Sequence, residues 1–139
     1  IIATLDQMKE TMKAYFIVDD LAHVQRGGRL SAASALIGGL LQIKPLLTME
    51  NKIIIPFEKI RSKKKALLRV EELLGQAVEK YGHLEASIIH GNCEEEALEW
   101  KARLSEKFPT VEFHISFFGP VIGTHLGEGS LGLGWVKKI

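Results

Sequence analysis

Cysteine and net charge are both scarce in this sequence, and each scarcity excludes a class of protein. Cys93 is the only cysteine among 139 residues, which excludes an intrachain disulfide framework and a cysteine-rich zinc site and favours a reducing, cytoplasmic setting. The 18 Lys and Arg residues nearly balance the 17 Asp and Glu residues, so the formal net charge is +1. This balance argues against the whole chain acting as a nucleic-acid-binding protein.

A long, uninterrupted hydrophobic run is also missing. The longest apolar region, residues 30–47, is broken by Gln42, Lys44 and Pro45 and is therefore a poor membrane span. With 46% hydrophobic and 25% charged residues, the composition is typical of a soluble globular domain that can bury a core. Because the sequence begins at Ile1 without a methionine, we expect residues 1–139 to be a single domain of a longer protein.

Glycine, in contrast, is concentrated in one place. Residues 119–134 hold six of the thirteen glycines, with Thr124 and His125 side by side at the centre. Glycine allows positive φ and close approach of the backbone, so this pattern favours a loop whose N–H groups face an anion. Thr124 and His125 would add side-chain donors to the same concavity. Surface turns also collect glycines, and their threonines often bond to their own backbone, so both interpretations stay open.

A second glycine pair, Gly27 and Gly28, precedes Arg29. Arginine binds carboxylate or phosphate groups through two parallel hydrogen bonds, so we hypothesise that this segment and the glycine-rich stretch meet around an acidic head group. The alternative is that Arg29 caps the preceding short helix or pairs with Asp19 or Asp20.

The hydrophobic periodicity predicts an α+β fold, with about six strands in a mixed or antiparallel sheet covered by helices. Helices are predicted from a Thr4–Gln7 capping box to about Ala14, over residues 21–26 and 32–41, from Ser62 to Gly82, and from an Asn92 cap to Phe108. Strands are predicted over residues 15–18, 84–90, 111–117 and 130–137, and as a hairpin of 45–49 with 53–58.

Basic residues cluster at the predicted start of the helix after Ser62, with no acid among them. The cluster consists of Lys59, Arg61, Lys63, Lys64, Lys65 and Arg69. Lysines at a helix N-terminus oppose the helix dipole, which hints at a use beyond stability. We consider Arg61, Lys63, Lys64 and Lys65 as a docking patch for an acidic partner or a membrane surface. The alternative is a solvated helix face.

A metal site is not indicated by the sequence. His90 and Cys93 are two residues apart, but two ligands make no site and no other histidine has a supporting spacing. Cys93 near a helix start could have a lowered thiol pKa, yet no base is identified beside it. We therefore predict neither a metal nor another cofactor.

Five segments together resemble a known family. They are Gly-Gly-Arg-Leu at 27–30, Ile-Lys-Pro at 43–45, the basic segment at 61–66, His-Gly at 90–91 and Gly-Pro-Val-Ile-Gly-Thr-His at 119–125. In this order and spacing the chain resembles the C-terminal domain of the DegV family. These are bacterial fatty-acid-binding proteins, some of which present a bound fatty acid to a partner kinase that phosphorylates its carboxyl group.

The resemblance implies a ligand-binding site to which two domains contribute. His125 would belong to the head-group site, with Gly123 and Thr124 in the same loop, and Arg29 would lie at the polar opening between two domains. The family's N-terminal domain, which holds the carboxylate with serine and threonine groups, is absent from this sequence. The family loop more often reads His-Thr-Gly-Pro-Gly, whereas here Leu126 replaces the threonine and Glu128 the proline.

On this resemblance the protein is a carrier and not an enzyme. Its partners would be a long-chain fatty acid and the catalytic subunit of a fatty acid kinase, with no nucleic acid and at most peripheral membrane contact. The slot for the acyl tail would be supplied by the apolar segment 32–41, by the hairpin residues Leu46, Leu47 and 53–55, and by Phe117–Phe118. Other classes stay open, namely a hydrolase or binding module for a small phosphorylated or acidic metabolite with His125 as general acid or base, or a regulatory interaction module.

Overall fold

The computed structural model describes residues 1–19, 23–24 and 44–139. Within these residues the helices are α1 (Ile2–Thr11), α2 (Lys63–Tyr81), α3 (Glu94–Lys107) and α4 (Pro120–Leu126). The strands are β1 (Lys13–Ile17), β2 (Leu46–Glu50), β3 (Ile53–Glu58), β4 (Leu84–His90), β5 (Val111–Phe117) and β6 (Leu131–Lys137). The helix expected over residues 32–41 lies outside the described residues, as does most of the one expected over 21–26.

All six strands form one mixed sheet. Their order is β3-β2-β1-β6-β4-β5, and only the β4–β5 pair is parallel among the described strands. The parallel pair is joined by α3, as a crossover between parallel strands requires. The predicted α+β fold with about six strands is confirmed.

One face of the sheet carries the main core. On β6, Leu131, Leu133 and Trp135 are buried on this face, where α2 and α3 cover the sheet. The apolar stripe of α2 is confirmed: Val70 and Leu74 are buried against the strands. Ser62 caps α2 by accepting from the Lys65 N–H at 3.2 Å, and Gly82 ends it with φ 78°.

The opposite face of the sheet carries a smaller core. Because side chains alternate along a strand, Phe16, Val18 and Leu47 point to this face and pack with Leu126 of α4. Two of the three β6 residues on this face are glycines, Gly132 and Gly134, and the third is Val136. A Cβ on Gly132 would lie 3.0 Å from the Phe16 ring and 3.3 Å from the Phe118 ring, so the two aromatic side chains occupy the space above Gly132.

Two predicted helix starts are wrong. α1 begins at Ile2 without a side-chain cap, so the Thr4–Gln7 capping box does not form. It ends at Thr11, before Ala14, because Lys13 already pairs with Trp135 of β6. The residue that precedes α3 is Cys93, whereas the sequence predicted Asn92 as the cap. Asn92 has a positive φ of 55° and lies outside the helix.

None of the helices in the described ranges is long and apolar enough to cross a membrane.

Candidate functional site

A cavity of about 650 Å³ lies on the face of the sheet opposite the main core, where Phe16 and Leu126 contribute to its lining. Its lining comes from β1, the β2–β3 hairpin, β4, the end of β5 and α4. The lining residues are Phe16, Met49, Lys52, Ile53, Ile54, Ile89, Ser116, Phe117, Phe118, Gly119, Val121, Ile122, His125 and Leu126. Most of these side chains are apolar, so the cavity suits a hydrophobic ligand.

Several large apolar side chains around this cavity are exposed. Phe117 is 69% exposed and Val121 75% exposed, while Ile122 is about half exposed. The expected inward-facing alternation of β5 therefore holds for Val111 and Phe113 but not for Phe117. A cluster of exposed apolar residues around a concave site marks a surface for a ligand or partner.

The glycine-rich stretch is not one loop, which corrects the sequence-based prediction. Residues 120–126 form α4, residues 127–130 a turn, and the last two glycines lie in β6. The N–H groups of Gly123, Gly127 and Gly129 donate to the carbonyls of Gly119, Gly123 and Gly91, at 2.7–2.9 Å. Because these N–H groups are used within the fold, they do not form the expected anion-facing row.

His125 lies in the last turn of α4 and lines the apolar cavity. Its Nδ1 atom is buried and has no hydrogen-bond partner among the described residues. An unpaired buried ring nitrogen costs free energy, so a polar partner that reached this atom would stabilise the site.

Thr124 and Gly123 face a different space from His125. Both line a shallower depression of about 420 Å³ that also contacts Asn92 and Glu128. The Thr124 hydroxyl donates to the Pro120 carbonyl at 2.6 Å, the local bond that threonine often makes in a helix. Its own carbonyl is bonded to His23 Nε2. The helix α4 separates the two spaces, because Ile122 and His125 line the cavity whereas Gly123 and Thr124 line the depression.

The turn after α4 is held tightly against its neighbours. Gly129 has φ 81°, and an added Cβ would lie 2.7 Å from the Asp19 carboxylate, so glycine is required there. The buried Ser130 hydroxyl donates to the Gly127 carbonyl at 2.7 Å. The Glu128 carboxylate accepts from the Asn92 amide at 2.8 Å, which holds its charge on the side of the shallower depression.

Arg29 and the preceding Gly27 and Gly28 lie outside the described residues. The predicted meeting of this segment with His125 around an acidic group therefore stays a prediction.

The basic cluster divides into inward and outward members. Lys63 donates to the Gly129 carbonyl at 2.9 Å and pairs with Glu96 at 2.8 Å. Arg69 pairs with Glu58 and Glu72, and these hydrogen bonds raise the pKa of its guanidinium.

The outward members are Lys59, Arg61, Lys64 and Lys65. All four are exposed and form no ion pair with the described part of the chain. Arg61 and Lys65 also line a depression of about 290 Å³ beside β3.

His90 and Cys93 are occupied by local bonds. The Cys93 N–H donates to His90 Nδ1 at 3.3 Å, and its thiol donates to the Ser130 carbonyl at 3.4 Å. Burial raises the pKa of the Cys93 thiol, so the lowered pKa considered from its position near a helix start is wrong. The described residues contain no group of three or more His, Cys, Asp or Glu side chains arranged for a metal.

Sequence reasoning missed several residues of the cavity, among them Ile89, Val121 and Lys52. The Asn51-Lys52 pair was recognised as part of a hairpin turn, but a turn residue gives no sign of the cavity beside it. The missed signal is the residue type: a two-residue turn of this kind usually has glycine where this chain has Lys52.

Comparison with known proteins places the chain beside bacterial relatives. A family model described as "Uncharacterised protein, DegV family" matches residues 1–138. Protein DegV of Bacillus subtilis is 57% identical over 138 residues, which cover 99% of this chain and 49% of that protein. A DegV domain-containing protein of Listeria innocua is 55% identical over the same shares. The chain thus spans about half the length of the curated relatives it matches.

Comparison with solved structures also finds proteins of the DegV family. The crystal structure of DegV from Bacillus subtilis, described as a fatty acid binding protein, matches with a TM-score of 0.88 over 99% of this chain and 49% of that chain. A fatty acid binding DegV family protein from Streptococcus agalactiae, 34% identical, also has a TM-score of 0.88 over the same shares.

Proposed function

Because the chain belongs to the DegV family, we propose that it binds the acyl tail of a long-chain fatty acid in the 650 Å³ cavity. The observation that carries this proposal is the combination of an apolar lining with one buried, unpartnered nitrogen on His125. The volume falls within the range of roughly 300–1,000 Å³ found for small-molecule sites. An acyl chain needs the apolar lining, and its acidic end needs a polar contact such as His125.

The tail supplies most of the binding free energy. Each methylene removed from water contributes roughly 0.8 kcal/mol, so about fourteen contribute on the order of 11 kcal/mol before ordering costs. That sum is large enough for micromolar or tighter binding after those costs are subtracted. The head-group residues then decide the orientation of the acid, while the tail decides its affinity.

We assign the carboxylate to the His125 end of the cavity, with Arg29 as a second contact. Gly123 and Thr124 support this site through α4, because the Thr124 hydroxyl proton is already used within the helix. We further propose that a preceding domain of the kind that the family resemblance implies supplies further contacts to the carboxylate.

The finer proposal is that the acid is presented to a partner fatty acid kinase in the cytoplasm. The partner supplies the nucleotide, the metal and the phosphoryl transfer, and this chain supplies no bond-making residue. The outward basic residues Arg61, Lys64 and Lys65 form the docking patch for that partner, since clustered positive charge accelerates encounter with an acidic surface.

Extraction of lipids from the purified natural polypeptide, followed by mass spectrometry, tests the proposal. We expect a long-chain fatty acid at a stoichiometry near one. A phosphorylated metabolite in its place would favour the hydrolase or metabolite-binding alternative. A protein that is empty and binds no added fatty acid would overturn fatty-acid binding altogether.

A further inference from the structure

The turn between β2 and β3 has an unusual backbone for its sequence. Glu50 pairs with Ile53, so only Asn51 and Lys52 form the turn, and their φ angles are 51° and 66°. Positive φ at both central positions is the geometry that favours Asn-Gly in a two-residue hairpin. Lysine has a Cβ that disfavours this region. The chain therefore places a strained lysine where a glycine would be relaxed.

The side chain at this position lines the apolar cavity. Among the lining residues that the structure describes, Lys52 is the only one with a permanent charge, and no lining residue is acidic. Its neighbours Met49 and Ile53 are 52% and 50% exposed and line the same cavity. The hairpin tip is thus an open rim of the cavity, formed by the apolar residues Met49 and Ile53 and the charged residue Lys52.

We propose that Lys52 captures the carboxylate of an incoming fatty acid at this rim and directs it into the cavity. This inference rests on the proposed function, which it extends by naming an entry contact. Local backbone strain that is retained at the edge of a site suggests a functional reason for the residue. An ammonium group attracts a carboxylate but gives no advantage to an uncharged lipid.

The charge of Lys52 acts mainly on the rate at which the fatty acid associates with the protein. An exposed charge contributes little to equilibrium affinity, because water and salt screen it. The same charge accelerates encounter with an oppositely charged ligand. His125, whose Nδ1 is buried, is suited to hold the acid after entry, whereas Lys52 is exposed and suited to meet it first.

Three variants of the complete natural polypeptide separate charge from strain. Lys52→Gln removes the charge and keeps much of the side chain, Lys52→Arg keeps the charge, and Lys52→Gly removes both charge and strain. Stopped-flow fluorescence measures association of cis-parinaric acid and of its methyl ester at low and high salt. Thermal denaturation without ligand measures the strain.

We expect Lys52→Gln and Lys52→Gly to slow association of the acid about two- to fivefold at low salt, with no change for the ester. Lys52→Arg should behave as the natural protein, and high salt should remove the difference. Lys52→Gly alone should raise the melting temperature, because the turn relaxes. Unchanged association of the acid with the Gln and Gly variants would overturn the proposal.

An equal slowing of acid and ester would also overturn it, since that result indicates altered packing and not charge. If the natural protein binds neither acid nor ester, the proposed function itself fails. That outcome is distinct from the case in which both lipids bind and Lys52 has no effect.

Discussion

The two faces of the sheet are built from the same strands but end up with opposite properties. On β6, Leu131, Leu133 and Trp135 point to the face covered by α2 and α3, and all three are buried. Between them, Gly132 and Gly134 point to the other face, which is covered by the seven-residue α4 and carries the 650 Å³ cavity. Large side chains of β6 fill one face, whereas on the other face Gly132 lets the Phe16 and Phe118 rings lie against the strand, and both of these residues line the cavity.

This comparison separates residues that hold the fold from residues that shape a site. A filled core follows from burying large apolar groups at crystal-like density. On the other face, Gly132 accommodates the rings of Phe16 and Phe118, two residues that line the cavity. The strict alternation of a strand allows both to be encoded in one seven-residue segment.

The largest expected effect is on the closed face. Leu133→Ala should lower the free energy of unfolding by about 2–5 kcal/mol, because it removes a fully buried side chain from the main core. Val121→Ala, on the exposed rim of the cavity, should change it by less than about 0.5 kcal/mol. Chemical denaturation of both variants measures the contrast. Similar losses at the two positions would break the distinction between the faces.

Gly132 and Gly134 give a matched pair on the cavity face. An added Cβ at Gly132 meets Phe16 at 3.0 Å, whereas at Gly134 the nearest atoms are at 3.5 and 3.6 Å. Gly132→Ala should therefore displace the rings, cost about 1–3 kcal/mol of stability and weaken fatty-acid binding.

Gly134→Ala should be neutral or stabilise slightly, by up to about 1 kcal/mol. Calorimetric titration with palmitate measures binding for both variants. If both bind palmitate as the natural protein does, the space above Gly132 does not shape the ligand site.

The smallest expected effect concerns the basic cluster. Lys64→Glu with Lys65→Glu should slow association with the kinase several-fold at low salt, by up to about tenfold. Lys80→Glu with Lys101→Glu, at the far end of α2 and on α3, makes the same charge change elsewhere. Surface plasmon resonance measures the rates. Equal slowing by both double variants would show a general charge effect and no docking patch.

Lys63 should be left out of that test. Its ammonium group lies against Gly129 and Glu96, so reversing its charge would disturb the turn after α4. A change at Lys63 would therefore mix structural damage with any loss of docking.

Local signals predicted the elements whose ends are marked by single residues. Ser62 and Gly82 bound α2, and the Asn51-Lys52 turn separates the predicted hairpin strands. β4 was predicted with its observed bounds because the segment is short, is rich in apolar residues and is followed by turn residues. The family resemblance also pointed to His125, which does line the cavity.

Local sequence signals do not predict contacts between residues that are far apart in the chain. Lys63 reaches Gly129 across 66 residues of sequence, and the Gly129 N–H donates to Gly91 only because β4 pairs with β6. Glycine alone does not distinguish a ligand-facing loop from close packing of the backbone, so α4 was missed. The separation of Thr124 from His125 likewise follows from the helix, which directs adjacent side chains to different sides.

The most direct test of the account follows the carboxyl group of the ligand. Palmitic acid labelled with ¹³C at the carboxyl carbon is bound to the complete natural polypeptide and to its His125→Ala variant, and the carboxyl resonance is recorded by NMR. We predict that the resonance shifts in the variant, while hexadecanol binds both proteins with the same affinity. An identical carboxyl resonance in the two proteins would contradict the claim that His125 receives the acidic end of the lipid.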